Sequence, residues 1–303
     1  MRIGGEPLQL LSARGSLWVL TCDSGCGGEA RHARGRIVRV DPRTLRITGS
    51  VALARPGVIA VSPSGIYATD FWRDTVRRIH LSTGSGRVLK LRLPFRVSPR
   101  ENRFLPSALA AGPGAIWIET DRGALARADL GLGQVRAIVQ LPFDAAGGLA
   151  VSPRTVWLAE SLAGLYRVDP GTTRLVARIR ISRGFDANKV VSAPEAVLVI
   201  GVRTSGGVMT NRNALARIDP RSNRVTALTP LPSGPLTVAF GAGSLWVAPL
   251  PPFGGSTVDR VDPSTGRIEG RLGGRIGSLI AVADGHLWTI TSEGVLRRLA
   301  HSV

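Results

Sequence analysis

The sequence is short of several residue types. It has two cysteines, Cys22 and Cys26, and four histidines in 303 residues. Its only lysines are Lys90 and Lys189, and glutamate is scarce too, so little helix is expected. No apolar run approaches the roughly 20 residues that span a bilayer, so no transmembrane segment is expected. The N-terminus, MRIGGEPLQLL, lacks the apolar core and small-residue cleavage site of a signal peptide. Arg2-Ile3-Gly4-Gly5-Glu6-Pro7 reads instead like the end of one repeat running into the next. That leaves open a leader, anchor or other domain upstream of Met1.

Basic residues are abundant: 39 against 21 acidic ones, a net charge of +18. The arginines recur once or twice per repeat instead of clustering. Neither the aromatic stacking platforms nor the recognition helix of a nucleic-acid binder is visible. The reading is an Arg-rich surface with weak attraction for acidic polymers or membrane surfaces, and nucleic acid is not the expected partner.

Glycine and proline are plentiful and evenly spread, which suits short strands joined by turns. Self-similarity is the strongest signal. Leu17-Trp18, Ile66-Tyr67, Ile116-Trp117, Val156-Trp157, Val197-Leu198, Leu245-Trp246 and Leu287-Trp288 mark one recurring strand, B. Arg39-Val40-Asp41-Pro42, Arg167-Val168-Asp169-Pro170, Arg217-Ile218-Asp219-Pro220 and Arg260-Val261-Asp262-Pro263 mark the next, C, and its turn into D. In that turn Asp can accept backbone N–H groups while Pro presets φ. Degraded copies stand at Arg78-Ile79-His80-Leu81, Arg127-Ala128-Asp129-Leu130 and Arg298-Leu299-Ala300-His301.

The spacing is that of a four-stranded blade, and a blade cannot bury both faces alone. The chain therefore predicts an all-β fold: a single domain over residues 1–303, a seven-bladed β-propeller of four-stranded antiparallel blades with the tryptophans between neighbours. The seventh repeat stops after its C strand, so Arg2 to Pro7 is expected to complete the last blade.

Gly243 to Val247 followed by Arg260 to Arg267 resembles the YVTN-type propellers and the virginiamycin B lyase-like group, and the resemblance runs through all repeats. It implies the propeller fold. Such repeats serve lyases, lactonases, surface proteins and sensors alike. For a lyase it implies a His after the Pro that opens an A strand, with Mg²⁺ nearby. Here Pro7, Pro56, Pro106 and Pro235 are followed by Leu8, Gly57, Ser107 and Leu236, none of them an acid or base. Of the W-x-x-E pattern only Trp157 to Glu160 survives, with Glu119 one residue early. A gluconolactonase-like site would need carboxylates and an amide around one hard cation such as Mg²⁺ or Ca²⁺ in the tunnel. The metal candidates are Asp70, Glu160 and Asp186, with Asn188. No spacing supports Ser-His-Asp or Cys-His catalysis.

The expected function is non-catalytic: a binding or sensor propeller, monomeric and without a cofactor, its partner a protein or small-molecule ligand of acidic character. A divalent-cation lyase or lactonase is the alternative. Insertions at Cys22 to Gly35, Arg203 to Asn213 and Pro249 to Thr257 lengthen the B–C connections of blades one, five and six. They point to one loop-rich rim, with Arg203, Asn211, Arg212 and Phe253 as binding candidates. Arg100 and Arg103, in the long basic connection before the third A strand, join them. Cys22 and Cys26 can form a disulfide, remain thiols, or with His32 supply soft ligands to Zn²⁺. A disulfide implies an oxidising compartment, so an extracytoplasmic location is expected, with the cytoplasm as alternative.

Overall fold

The computed structural model describes residues 1–25, 32–62, 64–70, 75–80, 87–90, 106–120, 123–141, 148–160, 164–205, 208–234, 236–249, 257–274 and 276–302. These residues form strands and turns, with no helix among them. The first blade is β1 (Glu6–Ala13), β2 (Ser16–Ser24), β3 (Arg34–Asp41) and β4 (Arg46–Ala54). The second is β5 (Pro56–Ser62), β6 (Gly65–Asp70), β7 (Thr75–Ile79) and β8 (Val88–Lys90). The third is β9 (Pro106–Gly112), β10 (Ala115–Thr120), β11 (Ala124–Asp129) and β12 (Val135–Gln140), and the fourth β13 (Gly148–Ser152), β14 (Thr155–Glu160), β15 (Gly164–Asp169) and β16 (Arg174–Ile179). The fifth is β17 (Phe185–Ser192), β18 (Val197–Ser205), β19 (Val208–Asp219) and β20 (Arg224–Leu231), and the sixth β21 (Leu236–Gly241), β22 (Ser244–Pro249), β23 (Thr257–Val261) and β24 (Ile268–Gly273). The seventh has β25 (Leu279–Ala283), β26 (His286–Ile290) and β27 (Leu296–Ser302). Each is an antiparallel sheet in sequence order, so the chain is a seven-bladed β-propeller.

The burial gradient explains each strand's composition. B strands such as β2 and β10 are buried along almost their whole length, because both blade faces are covered; hence runs like Ala115-Ile116-Trp117-Ile118. D strands such as β4 and β20 alternate exposed and covered residues, as an outer edge with one packed face requires.

The chain divides into two compact units, Arg55–Ser192 and Met1–Ala54 with Ala193–Val303. Within the first, Trp117 of β10 packs with Val156 and Leu158 of the next blade, and Tyr67 with Ile116 and Ile118. Within the second, Trp246 packs with Ile280 and Leu287, and Trp288 with Leu17 and Val19. The B-strand aromatics Tyr67, Trp117, Trp246 and Trp288 thus fill the seam with the next blade, as expected. Trp18, Trp117, Trp157, Trp246 and Trp288 are all at most 2% exposed.

Opposite four of these tryptophans the C-strand arginine lies over the ring. Arg39, Arg127, Arg167 and Arg260 stand 5.5 to 6.0 Å from the ring centres of Trp18, Trp117, Trp157 and Trp246. The repeated arginine is therefore a cross-strand cation–π partner of the repeated tryptophan. The turn aspartates act as expected. Asp41 accepts the N–H of Arg43 at 2.8 Å, Asp169 that of Thr172 at 2.7 Å, and Asp219 that of Arg221 at 2.8 Å. Asp129, in a degraded copy, still accepts from Gly133 at 2.9 Å.

The N-terminal segment closes the seventh blade, over a shorter stretch than Arg2 to Pro7. Ile3 N–H donates to Gly294 O at 2.8 Å, Leu296 N–H donates to Met1 O at 2.9 Å, and Arg2 forms a β-bridge with Val295. Gly4 and Gly5, at φ 81° and 70°, then turn the chain out, and Glu6 begins β1.

Candidate functional site

The described residues of the insertion in blade five are strand. β18 and β19 pair from Val197↔Ile218 up to Ser205↔Val208, with Gly206-Gly207 between them in sequence. In blade four the same hairpin ends at Glu160↔Gly164. Aligned on the pairs Trp157↔Arg167 and Leu198↔Arg217, β18 runs four residues further, roughly 13 Å at strand rise. Extension as a hairpin lets backbone donors and acceptors satisfy one another where a loop would leave them to solvent. The sequence signal was Val202 to Met209, a Gly-Gly pair flanked by strand formers.

Arg203 and Arg212 are both exposed on this projection. The Thr210 hydroxyl donates to Arg203 O and accepts the N–H of Arg212 at 3.3 Å, fixing the irregular register there. Asn211 lies in β19, its side chain outside the described residues, as are Arg100, Arg103 and Phe253.

The insertion in blade one also begins and ends as strand, β2 reaching Ser24 and β3 starting at Arg34. Cys22, near the end of β2, is disulfide-bonded; the chain's other cysteine, Cys26, lies outside the described residues. The neighbouring polar groups carry no sequence signal of their own. Arg36 donates to Ile3 O at 3.0 Å and stands 3.7 Å from Asp23, which accepts the Thr21 hydroxyl at 3.1 Å. Blade one thereby clamps the N-terminal segment beside the disulfide.

The metal candidates are dispersed. Asp70 is paired with Arg55, whose Nε donates at 3.1 Å and whose Nη2 lies at 3.0 Å. Asp186 is buried in β17, Asn188 is half-buried, and the Glu160 side chain lies outside the described residues. Glu119 is buried in β10. Among the described residues no three His, Cys, Asp or Glu side chains gather as metal ligands would.

Three of the four post-proline positions share a geometry, whereas Leu236 is regularly paired with Pro249. The β1–β2, β5–β6 and β9–β10 registers each shift there, between Pro7 and Gln9, between Pro56 and Ile59, and between Glu119 and Thr120 opposite Pro106. A bulge of this kind takes a residue out of the pairing and re-aims it. The residues so placed include Leu8, Gly57 and Ser107, which can neither donate nor accept a proton in the neutral range.

No family model and no curated protein matches the chain. Solved structures do, among them two that match over nearly their whole length. Hydrazine synthase from Kuenenia stuttgartiensis superposes with a TM-score of 0.74 at 15% identity, covering 98% of this chain and 97% of that one. BamB from Moraxella catarrhalis gives 0.60 at 15% identity, covering 98% of each. The likeness is one of fold. At this identity it establishes the propeller and leaves function to the site.

Proposed function

We propose that this propeller is a non-catalytic binding or scaffold protein that engages an acidic protein partner through the β18–β19 projection. The observation that carries this is the projection itself: paired strands extending beyond the body of their blade and bearing exposed Arg203 and Arg212. Paired strands present side chains at fixed positions at lower ordering cost than a loop. A basic chain with net charge +18 favours encounter with an acidic surface. No cofactor enters this reading. The disulfide at Cys22 supports an extracytoplasmic location. The motif at Gly243 to Val247 supports descent from the YVTN-type, virginiamycin B lyase-like repeats, with the lyase chemistry lost at Leu8, Gly57 and Ser107.

The test is a photo-crosslinking residue at exposed Ser205 in the native host, with the same residue at Arg154, on an exposed turn of blade four, as control. One dominant crosslinked protein, absent from the control, is expected. Mg²⁺- or Ca²⁺-dependent turnover of lactones or cyclic esters, abolished by Asp70→Ala or Glu160→Ala, would overturn the reading in favour of an enzyme.

A further inference from the structure

A second feature lies at the A–B and C–D turns of blade one, away from the hairpin ends described above. Arg14, Ser16, Arg39, Arg43, Thr48 and Asp284 line a cleft of about 490 Å³, within the usual range of roughly 300–1,000 Å³ for small-molecule sites. Its arginines differ in what they have left to offer. Arg43 is fixed by Asp284, with Nε donating to both carboxylate oxygens at 3.1 Å and Nη2 to Oδ1 at 3.0 Å. Asp41 is occupied by the turn, accepting the Arg43 N–H at 2.8 Å and the Thr44 hydroxyl at 2.9 Å. Both carboxylates of the cleft are therefore engaged.

Arg39 is held as a plane: it lies 5.5 Å from the Trp18 ring centre, and its Nε donates to Ser16 Oγ at 2.9 Å. Its two Nη groups have no partner among the described residues. That is half of a bidentate grip, oriented before any ligand arrives. Arg14 is exposed and likewise without a partner among the described residues, and it sits at φ 55° on a two-residue hairpin corner. Such corners favour Gly, Asn or Asp, so an arginine here runs against local preference.

Blade six supplies an internal control. Arg260 stacks on Trp246 at 5.8 Å and donates to Ser244 at 2.9 Å, the same arrangement. The residues corresponding to Arg14, Arg43 and Thr48 are, however, Ala242, Ser264 and Glu269. The scaffold recurs and the extra arginines do not.

We infer that the cleft of blade one binds a small organic anion through a carboxylate or phosphate group, held by the Nη pair of Arg39 and by Arg14, with the Arg43–Asp284 pair as a fixed wall. The inference does not depend on the partner at β18–β19. It is tested by calorimetric titration of the whole chain with inorganic phosphate and, separately, with citrate, at low salt. Saturable binding of one anion per chain is expected, and the tighter probe tells phosphate from carboxylate chemistry. Arg14→Ala, on an exposed turn, and Arg39→Lys, which keeps the charge but removes the fork, should each weaken binding about tenfold or more. Arg260→Lys and Arg154→Ala should leave it unchanged. No saturable binding of either probe, or an equal loss in Arg154→Ala, would show diffuse surface charge and overturn the proposal.

Discussion

The hairpins β14–β15 and β18–β19 are the same element of the same repeat, and they divide into a shared part and a part only one of them has. In the shared part the side chains are committed to packing, with Trp157 1% exposed, Arg167 standing 5.5 Å from its ring centre, and both faces of the strand covered. In the extension of β18 and β19 the described side chains of Arg203, Ser205 and Arg212 are exposed. The shared part holds blades together. The extension, where Arg203, Ser205 and Arg212 face solvent, is accounted for by what it presents outward.

The largest expected effect breaks the comparison at the seam. Trp157→Ala should lower unfolding free energy by about 3–5 kcal/mol, whereas Arg212→Ala should stay within about 0.5 kcal/mol of the parent, as read by chemical denaturation. Equal losses would mean that the extension is part of the core.

Next comes the close approach of inner strands. A Cβ on Gly241 would lie 2.6 Å from Val282 Cβ in the next blade, and Cβ atoms on neighbouring backbones cannot swing away. Gly241→Ala should cost about 1–3 kcal/mol, and Val282→Ala in the same chain, which keeps the Cβ but removes the Cγ1 that would lie at 2.8 Å, should recover only part of it.

Acid should act on the turns. Hydrogen bonds to backbone N–H groups hold the carboxyls of Asp41, Asp169 and Asp219 below their ordinary values, and for Asp262 the Ser264 hydroxyl is the leading cause. Depressed folded-state values mean that this stabilisation is complete above the unfolded aspartate pKa of about 3.9 and is lost as pH falls through the folded values. Thermal melts should show that acid limb, and Asp→Asn at these four positions should flatten it.

The smallest effect concerns one backbone angle. Leu45 is at φ 56° and Gly266 occupies the same turn position in blade six at φ 72°. Leu45→Gly should be stabilising by about 0.5 kcal/mol, the relief of a left-handed side chain less the entropy of glycine. Gly266→Leu should destabilise.

The seams were legible in the sequence because seven blades repeat one solution, so Trp18, Trp117, Trp157, Trp246 and Trp288 recur in one register. The turn aspartates were legible for the same reason, and Asp129 shows that the aspartate suffices without its proline. The extension reads as a loop in sequence because Gly206-Gly207 looks like an interruption, while the strand formers on either side make it a hairpin. The cleft was not legible. Asp284 is far in sequence from Arg14, Arg39 and Arg43 and meets them only because blade seven lies against blade one. The partner of Asp70 is hidden in the same way, since Arg55 sits in the connection between β4 and β5 and not in the repeat motif.

The most direct test of the division between seam and projection is a paired measurement on Arg203→Glu/Arg212→Glu, comparing thermal midpoint with the crosslinking yield from a photo-crosslinking residue at Ser205 in the native host. The account predicts an unchanged midpoint and loss of the crosslinked partner. A lowered midpoint, or a crosslink that survives both charge reversals, would contradict it.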